Sequence, residues 1–546
     1  MPNKNGAAGW PSKAAADIRT ARRAILSLLA VLVIGVCTVS FRQRNLPEVD
    51  LAEGTIAGEV RDAHGPVAGA TVRFKGQPQV VWTDVGGHFR LPRPSTDDAR
   101  ITAWKEGYRI GGSAAAPGVV IRLTPLPVAD HEEYAWVGPD PDAGQPRNCG
   151  NCHEEIYREW SASGHARSVS NRHFRNLYDG SDWHGRKHVG WSLLAEHPDG
   201  SGVCTACHGP TVGFEDPAYF DLRQARGTAS RGVHCDYCHK VVDVTSGGIG
   251  HTHGRFGLKL LRPALAAADE SGTPGKQLFF GPLDDVEGGE DAFAAIYRDS
   301  RYCASCHEGT VFGVPVYTTY SEWLASPART EGKECQTCHM APTGRLSNLA
   351  TGKGGFPRDP HTLANHRFFA GSQVEMLRQC LKITIALSRS PDSFAAEVEV
   401  RTVGVGHSVP TGFVDRNLIL MLEAYGADGQ TIAPRSGRLL PPVAGKSWTG
   451  RPGHLYAKQL TGFDGHGPVP FWRAQPDVVD SRLVPGRPDR STYRFPVGVN
   501  RIVVRLVYQR FWEDVANQKN WPDNAILLLE KTLELGSGIE TRWSGP

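Results

Sequence analysis

Hydrophobic and polar positions along the chain fall into three patterns. The first is one uncharged run, AILSLLAVLVIGVCTVSF, over residues 24–41. Lys4, Lys13, Arg19, Arg22 and Arg23 precede it, and Arg42 and Arg44 follow. As a helix rising about 1.5 Å per residue it spans roughly 27 Å, enough for a bilayer core. A basic flank before an apolar run is what an exported chain needs. No A-x-A site follows, and Val36 precedes Cys37 where a lipoprotein site prefers a small residue. The pattern therefore predicts a cytoplasmic tail and a membrane anchor or signal segment over residues 1–50, with a retained single-span transmembrane helix favoured over a cleaved signal. The remainder lies in the periplasm or on the extracytoplasmic side of the cytoplasmic membrane, which the chain crosses once.

The second pattern is short alternation. Residues 51–127 contain GTIAGEVRDAHGPVAGATVRF, starting at Gly54, with turn signals at His64 and Gly65 and at Gly86 and Gly87. They predict a small antiparallel β-sandwich. In residues 381–546, FAAEVEVRTVG, NLILMLEAYG and NRIVVRLVYQRF stand between Gly/Pro-rich loops and predict a second one. The third pattern lies between them, in residues 128–380, and is a repeat of chemistry.

Composition adjusts this picture little. At 546 residues the chain is too long for one ordinary core, and 62 Gly with 38 Pro indicate much loop and short strand. The net charge of +3, with no clustered basic face beyond the N-terminus, argues against a nucleic-acid partner.

Ten of the twelve cysteines form C-x-x-C pairs: Cys149 and Cys152, Cys204 and Cys207, Cys235 and Cys238, Cys303 and Cys306, Cys335 and Cys338. Each pair is followed at once by a histidine, His153, His208, His239, His307 and His339. Disulfide frameworks rarely repeat one spacing, zinc knuckles pair up, and a redox dithiol occurs once. C-x-x-C-H is the c-type haem attachment run, in which two thiols add to the haem vinyl groups and the adjacent imidazole ligates iron. Five runs predict five covalently bound haem c groups, roughly one per 40 residues, closely spaced.

A sixth ligand is the next requirement. The chain has four methionines, and Met340 directly follows a motif histidine, so methionine cannot complete five sites. Bis-histidine ligation is expected for most haems. His165 follows the short helical stretch EEIYREWSAS and can turn toward a neighbouring haem. One of His251 and His253 is a candidate across a Gly-rich turn, and His361 or His366 after the last motif. His184, His188, His197 and His234 are reserves. YREWSAS and YSEWLAS, starting at Tyr157 and Tyr320, indicate a duplicated unit, with Trp160 and Trp323 equivalent and expected at haem edges.

The stretches NCGNCHEEIYREWSASGH, GVHCDYCHK, YCASCHEG with YSEWLASP, and CQTCHMAP with NHRFFAG resemble multihaem cytochromes c of the c-554 (c-552/c-554) type. That resemblance implies an α-helical, loop-rich multihaem domain, stacked haem pairs and distal roles for His165, His251 or His253, and His366. The loop GVGHSVPTGFVDRN is also similar to a run in such cytochromes and offers His407 as a distal ligand. Five motifs depart from the four of the namesake type. GEVRDAHGPVAG and TDVGGHF resemble a carboxypeptidase regulatory-like, transthyretin-type module, which implies a spacer or docking surface.

The expected fold class is thus multidomain: an N-terminal membrane helix, a small β-sandwich, a multihaem domain and a C-terminal β-sandwich. The expected activity is electron transfer between a membrane quinol-linked donor and a periplasmic or extracellular acceptor. No catalytic side chain is assigned. A haem enzyme acting on a small nitrogen or sulfur compound at one open site, and a haem-bearing scaffold of a respiratory complex, are the alternatives.

Overall fold

The computed structural model describes residues 54–92, 99–199, 201–213, 220–245, 247, 249–250, 254–264, 276–369, 374–535 and 540–545. The expected fold class is corrected at its N-terminal element. Among the described residues no helix is long and apolar enough to cross a membrane. Residues 24–41, on which that expectation rested, lie outside them. The helices that form reach eight residues, as in Glu154–Ser161 and Arg172–Asp179, or about 12 Å against a hydrocarbon core of about 30 Å. The described architecture is a mix of sheets and a few short helices.

Two small sheets make up the first part. His88–Pro92, Thr55–Arg61 and Val119–Arg122 form one, and Val80–Trp82, Thr71–Phe74, Arg100–Trp104 and Gly111–Ala114 the other. Alternation is the cause: in His88–Pro92 only Phe89 and Leu91 are buried, and they join Val60, Val72, Ile101 and Ile121 in one core. The turns close on side chains. Asp62 accepts the His64 and Gly65 N–H groups, and Asp84 accepts those of Gly86 and His88. Ion pairs then fasten this module to the motif-bearing region: Arg73–Asp284 at 2.6 Å and Lys75–Glu287 at 2.7 Å.

The C-terminal part packs two sheets face to face. Asp489–Pro496, Ser393–Thr402, Leu381–Arg389 and Glu540–Gly545 form one. The other runs Ala474–Asp480, Gly453–Gly462, Asn417–Tyr425, Arg501–Gln509 and Ala525–Glu534. Ile383, Ile385, Val398, Leu418, Leu420 and Leu506 interdigitate between them. Asn417–Tyr425 is apolar on consecutive positions because it is buried on both faces. Leu418 and Leu420 face the sandwich, while Ile419 faces Trp512, Phe511 and Trp521, against which Leu177, Trp183 and Trp191 of the motif region pack. Lys519 crosses this junction, donating to the carbonyls of Asn176, Ser181 and Trp191.

Candidate haem sites

Four motifs sit on short helices: Ser201–His208, Cys235–Cys238, Arg301–His307 and Cys335–His339. Positions three and four apart on a helix share a face, so both thiols and the imidazole of each of these runs are presented together. The first motif differs from these four at Cys152. It lies outside any helix, as the C-terminal cap of the 3₁₀ turn Cys149–Asn151. Its N–H donates to Cys149 O at 3.2 Å, and the His153 N–H reaches the same carbonyl at 2.9 Å. That shared acceptor closes a single turn, which keeps Cys152 near Cys149 without a helix to hold it. Gly150 in this turn packs against Pro139 and Pro141, where a Cβ would stand 2.7 Å from Pro141 and 2.8 Å from Pro139 O.

All ten motif thiols are unbridged. Cys152 is half-buried, whereas Cys338 is exposed, and burial raises Cys204 to about 12.

Four motif imidazoles are oriented by a backbone carbonyl at Nδ1. His153 meets Leu349 O at 2.8 Å, His208 meets Ser168 O at 3.0 Å, His239 meets Phe280 O at 2.6 Å, and His339 meets Phe369 O. A carbonyl can only accept, so Nδ1 holds the proton and Nε2 keeps its lone pair. This is the arrangement in which an imidazole is held for a metal.

Three motif histidines face a second histidine. Ring centres are 6.4 Å apart for His165 and His307, 6.5 Å for His239 and His366, and 6.2 Å for His339 and His407. Two metal–nitrogen bonds of about 2 Å, each with about 1.1 Å more from nitrogen to ring centre, separate imidazoles sharing one ion by roughly 6.2 Å. The spacing fits iron between each pair. Buried Nδ1 atoms of His165 and His366 have no hydrogen-bond partner among the described residues. Burial, reinforced by neighbouring histidines, holds His165 down to about 4 and His307 and His366 down to about 3. These rings are neutral at pH 7, with lone pairs to offer. Burial lowers His407 as well, opposed by its Nδ1 contact at 3.0 Å with the Ser408 carbonyl.

Thiols report which motifs are neighbours. Cys235 is pushed up first by nearby Cys149, Cys303 by Cys335 and Cys306 by Cys207, and each is raised further by burial. Burial raises Cys238 to about 12, with Cys306 adding to the rise. The first motif thus adjoins the third through Cys149 rather than Cys152. The third adjoins the fourth, and the fourth touches both the second and the fifth.

The remaining candidates separate clearly. His251 and His253 lie outside the described residues. His361 is exposed on the turn Pro360–Thr362, its N–H held by Asp359. His234 is buried but satisfied, with Nε2 3.2 Å from Thr211 Oγ1 and Nδ1 accepting the Tyr237 N–H. It caps the third motif's helix. His197 packs on Phe312, and His184 and His188 lie in the turn that follows Asp182. Sequence reasoning missed Phe174, whose ring stacks on His208 at 4.0 Å and 12°.

Residues 148–240 match the family described as cytochrome c554 and c-prime. The fold is similar to a penta-heme cytochrome c552 from Thermochromatium tepidum, with a TM-score of 0.52 over 71% of this chain and 97% of that one. At 21% identity this likeness is one of fold. No curated protein matches the chain. The five attachment runs, the family match over residues 148–240 and the likeness of fold support a multihaem cytochrome c of the c554/c552 type, a class that carries covalently bound haem c and works with redox partners.

Proposed function

We propose that this chain is a pentahaem electron carrier working outside the cytoplasm, between a quinol-linked donor and a periplasmic or extracellular acceptor. The observation that carries the reading is the set of three imidazole pairs spaced for one iron each. Iron held by two nitrogens changes little in geometry between oxidation states, which favours electron transfer over substrate binding. The ten motif cysteines attach the haems, Cys152 among them from its place beside the 3₁₀ turn. His153, His208, His239, His307 and His339 are the proximal ligands, and His165, His366 and His407 are distal ligands to the fourth, third and fifth haems. One of His251 and His253 is a further distal ligand in this reading. The thiol contacts support a relay from the first haem through the third to the fourth, branching there to the second and fifth.

A pyridine haemochrome assay with intact mass tests the count, and five haems per chain are expected. Electron paramagnetic resonance of the oxidised protein, with and without nitrite or hydroxylamine, tests the role. Predominantly low-spin signals indifferent to both ligands are expected; a one-haem high-spin signal altered by either would make the protein an enzyme.

A further inference from the structure

The repeated stretch Tyr-x-Glu-Trp-x-Ala-Ser folds the same way twice, on the helices Glu154–Ser161 and Thr319–Leu324. In each copy the tyrosine ring packs on the tryptophan, with centres 6.0 Å apart for Tyr157 and Trp160 and 5.4 Å for Tyr320 and Trp323. Both tryptophans are buried, and both indole N–H groups are committed. Trp160 donates to Val233 O at 2.9 Å, two residues before Cys235, and Trp323 donates to Lys333 O at 2.8 Å, two residues before Cys335.

The glutamates hold something else. Glu159 Oε2 accepts the backbone N–H of His366 at 2.8 Å. Glu322 Oε2 accepts the N–H of Ser408, next to His407, at 3.1 Å, and the Thr411 hydroxyl at 3.0 Å. His366 faces the third motif's His239, and His407 faces the fifth motif's His339. Each helix therefore reaches both members of one imidazole pair, its tryptophan tied to the segment carrying one ring and its glutamate to the segment carrying the other. Consecutive helix positions diverge by about 100°, so adjacent side chains can straddle such a pair.

Resting on the ligand assignment above, we infer that the repeated helix is a clamp that sets the geometry of one axial pair. Glu159 and Trp160 are positioning residues for His239 and His366, and Glu322 and Trp323 for His339 and His407. The physical need is plain: Glu159 and His366 are 207 residues apart in sequence, and only a shared rigid element fixes the spacing and mutual rotation of two such rings. The copies differ in bracing. Arg482 pairs with Glu322 at 2.6 Å. The cleaner test is therefore at Glu159.

The experiment compares oxidised holoprotein carrying Glu159→Ala, Glu159→Gln, Trp160→Phe or His366→Ala by low-temperature electron paramagnetic resonance, whose low-spin g values report the mutual rotation of the two imidazoles. His366→Ala should convert one haem equivalent to high spin. Glu159→Ala and Trp160→Phe should each shift one low-spin signal, the same one, and leave the others in place. Glu159→Gln, whose amide oxygen can still accept the His366 N–H, should keep the wild-type spectrum. Unmoved signals in Glu159→Ala, or a change spread over all haems, would overturn the clamp. No new high-spin signal in His366→Ala would instead overturn the ligand assignment beneath it.

Discussion

Lys519→Met tests whether the C-terminal sandwich holds the motif region in shape. Lys519 is fully buried, and its ammonium donates to Asn176 O at 2.8 Å, Ser181 O at 3.1 Å and Trp191 O at 2.7 Å. Asn176 O also accepts the Gly180 N–H, so methionine would leave the Ser181 and Trp191 carbonyls without this donor. Two unsatisfied buried carbonyls cost about 1–3 kcal/mol each, partly offset because a buried ammonium no longer needs desolvating. A net cost of about 2–4 kcal/mol follows, a large fraction of a typical domain's stability. The effect should concentrate on Arg172–Asp179, whose Phe174 stacks on His208. Native-state hydrogen exchange of the holoprotein reads it directly: at tenfold per 1.4 kcal/mol, amide protection over residues 172–191 should fall roughly 30- to 700-fold. Protection within threefold of wild type would refute the reasoning, because the lysine would then be a passive filler of the junction.

Asp415 gives a pH dependence. It is buried, Trp512 donates to Oδ1 at 2.8 Å, Oδ2 has no partner among the described residues, and burial pushes the carboxyl up to about 7. The folded state keeps a proton that the unfolded chain gives up near its usual value of 3.8, so stability should fall as pH rises from about 4 to about 7, by at most about 4 kcal/mol. Urea titrations across that window should show a shallower slope for Asp415→Asn, and parallel slopes would sink the idea. Glu287→Ala strips Lys75 and Arg100 of their shared carboxylate and should cost about 2–3 kcal/mol of unfolding free energy in urea titrations. Adding Lys75→Met should recover part of that loss; no recovery would mean the pair is not coupled. His407→Ala should create one high-spin haem equivalent that added imidazole returns to low spin, because Glu322 still holds the loop at Ser408 and Thr411. An unchanged spectrum would remove His407 from the ligand set.

Local chemistry was legible because its determinants are local. The five C-x-x-C-H runs declare themselves by spacing alone, and in four of them one helical turn brings the thiols and imidazole to one face. That the first run would instead leave Cys152 beyond a 3₁₀ turn was not legible, because its spacing is the same as that of the other four. Alternation in HFRLP and SFAAEVEVRT likewise predicts strands, because a period of two can bury only one face of a sheet. Pairing across the haems was hidden as well. His165 follows the first motif yet faces His307 of the fourth, and His366 follows the fifth yet faces His239 of the third. Nothing in the neighbourhood of either histidine encodes its partner, because the ring that meets it is brought there by the packing of distant segments. YREWSAS and YSEWLAS could be seen to repeat, but only the folded chain decides what Glu159 and Trp160 touch: the former reaches a backbone N–H 207 residues away and the latter a carbonyl 73 away. Sequence specifies which groups can ligate or clamp. Tertiary packing specifies which of them meet, since contacts between remote segments are settled by the shared core rather than by the residues that come to touch.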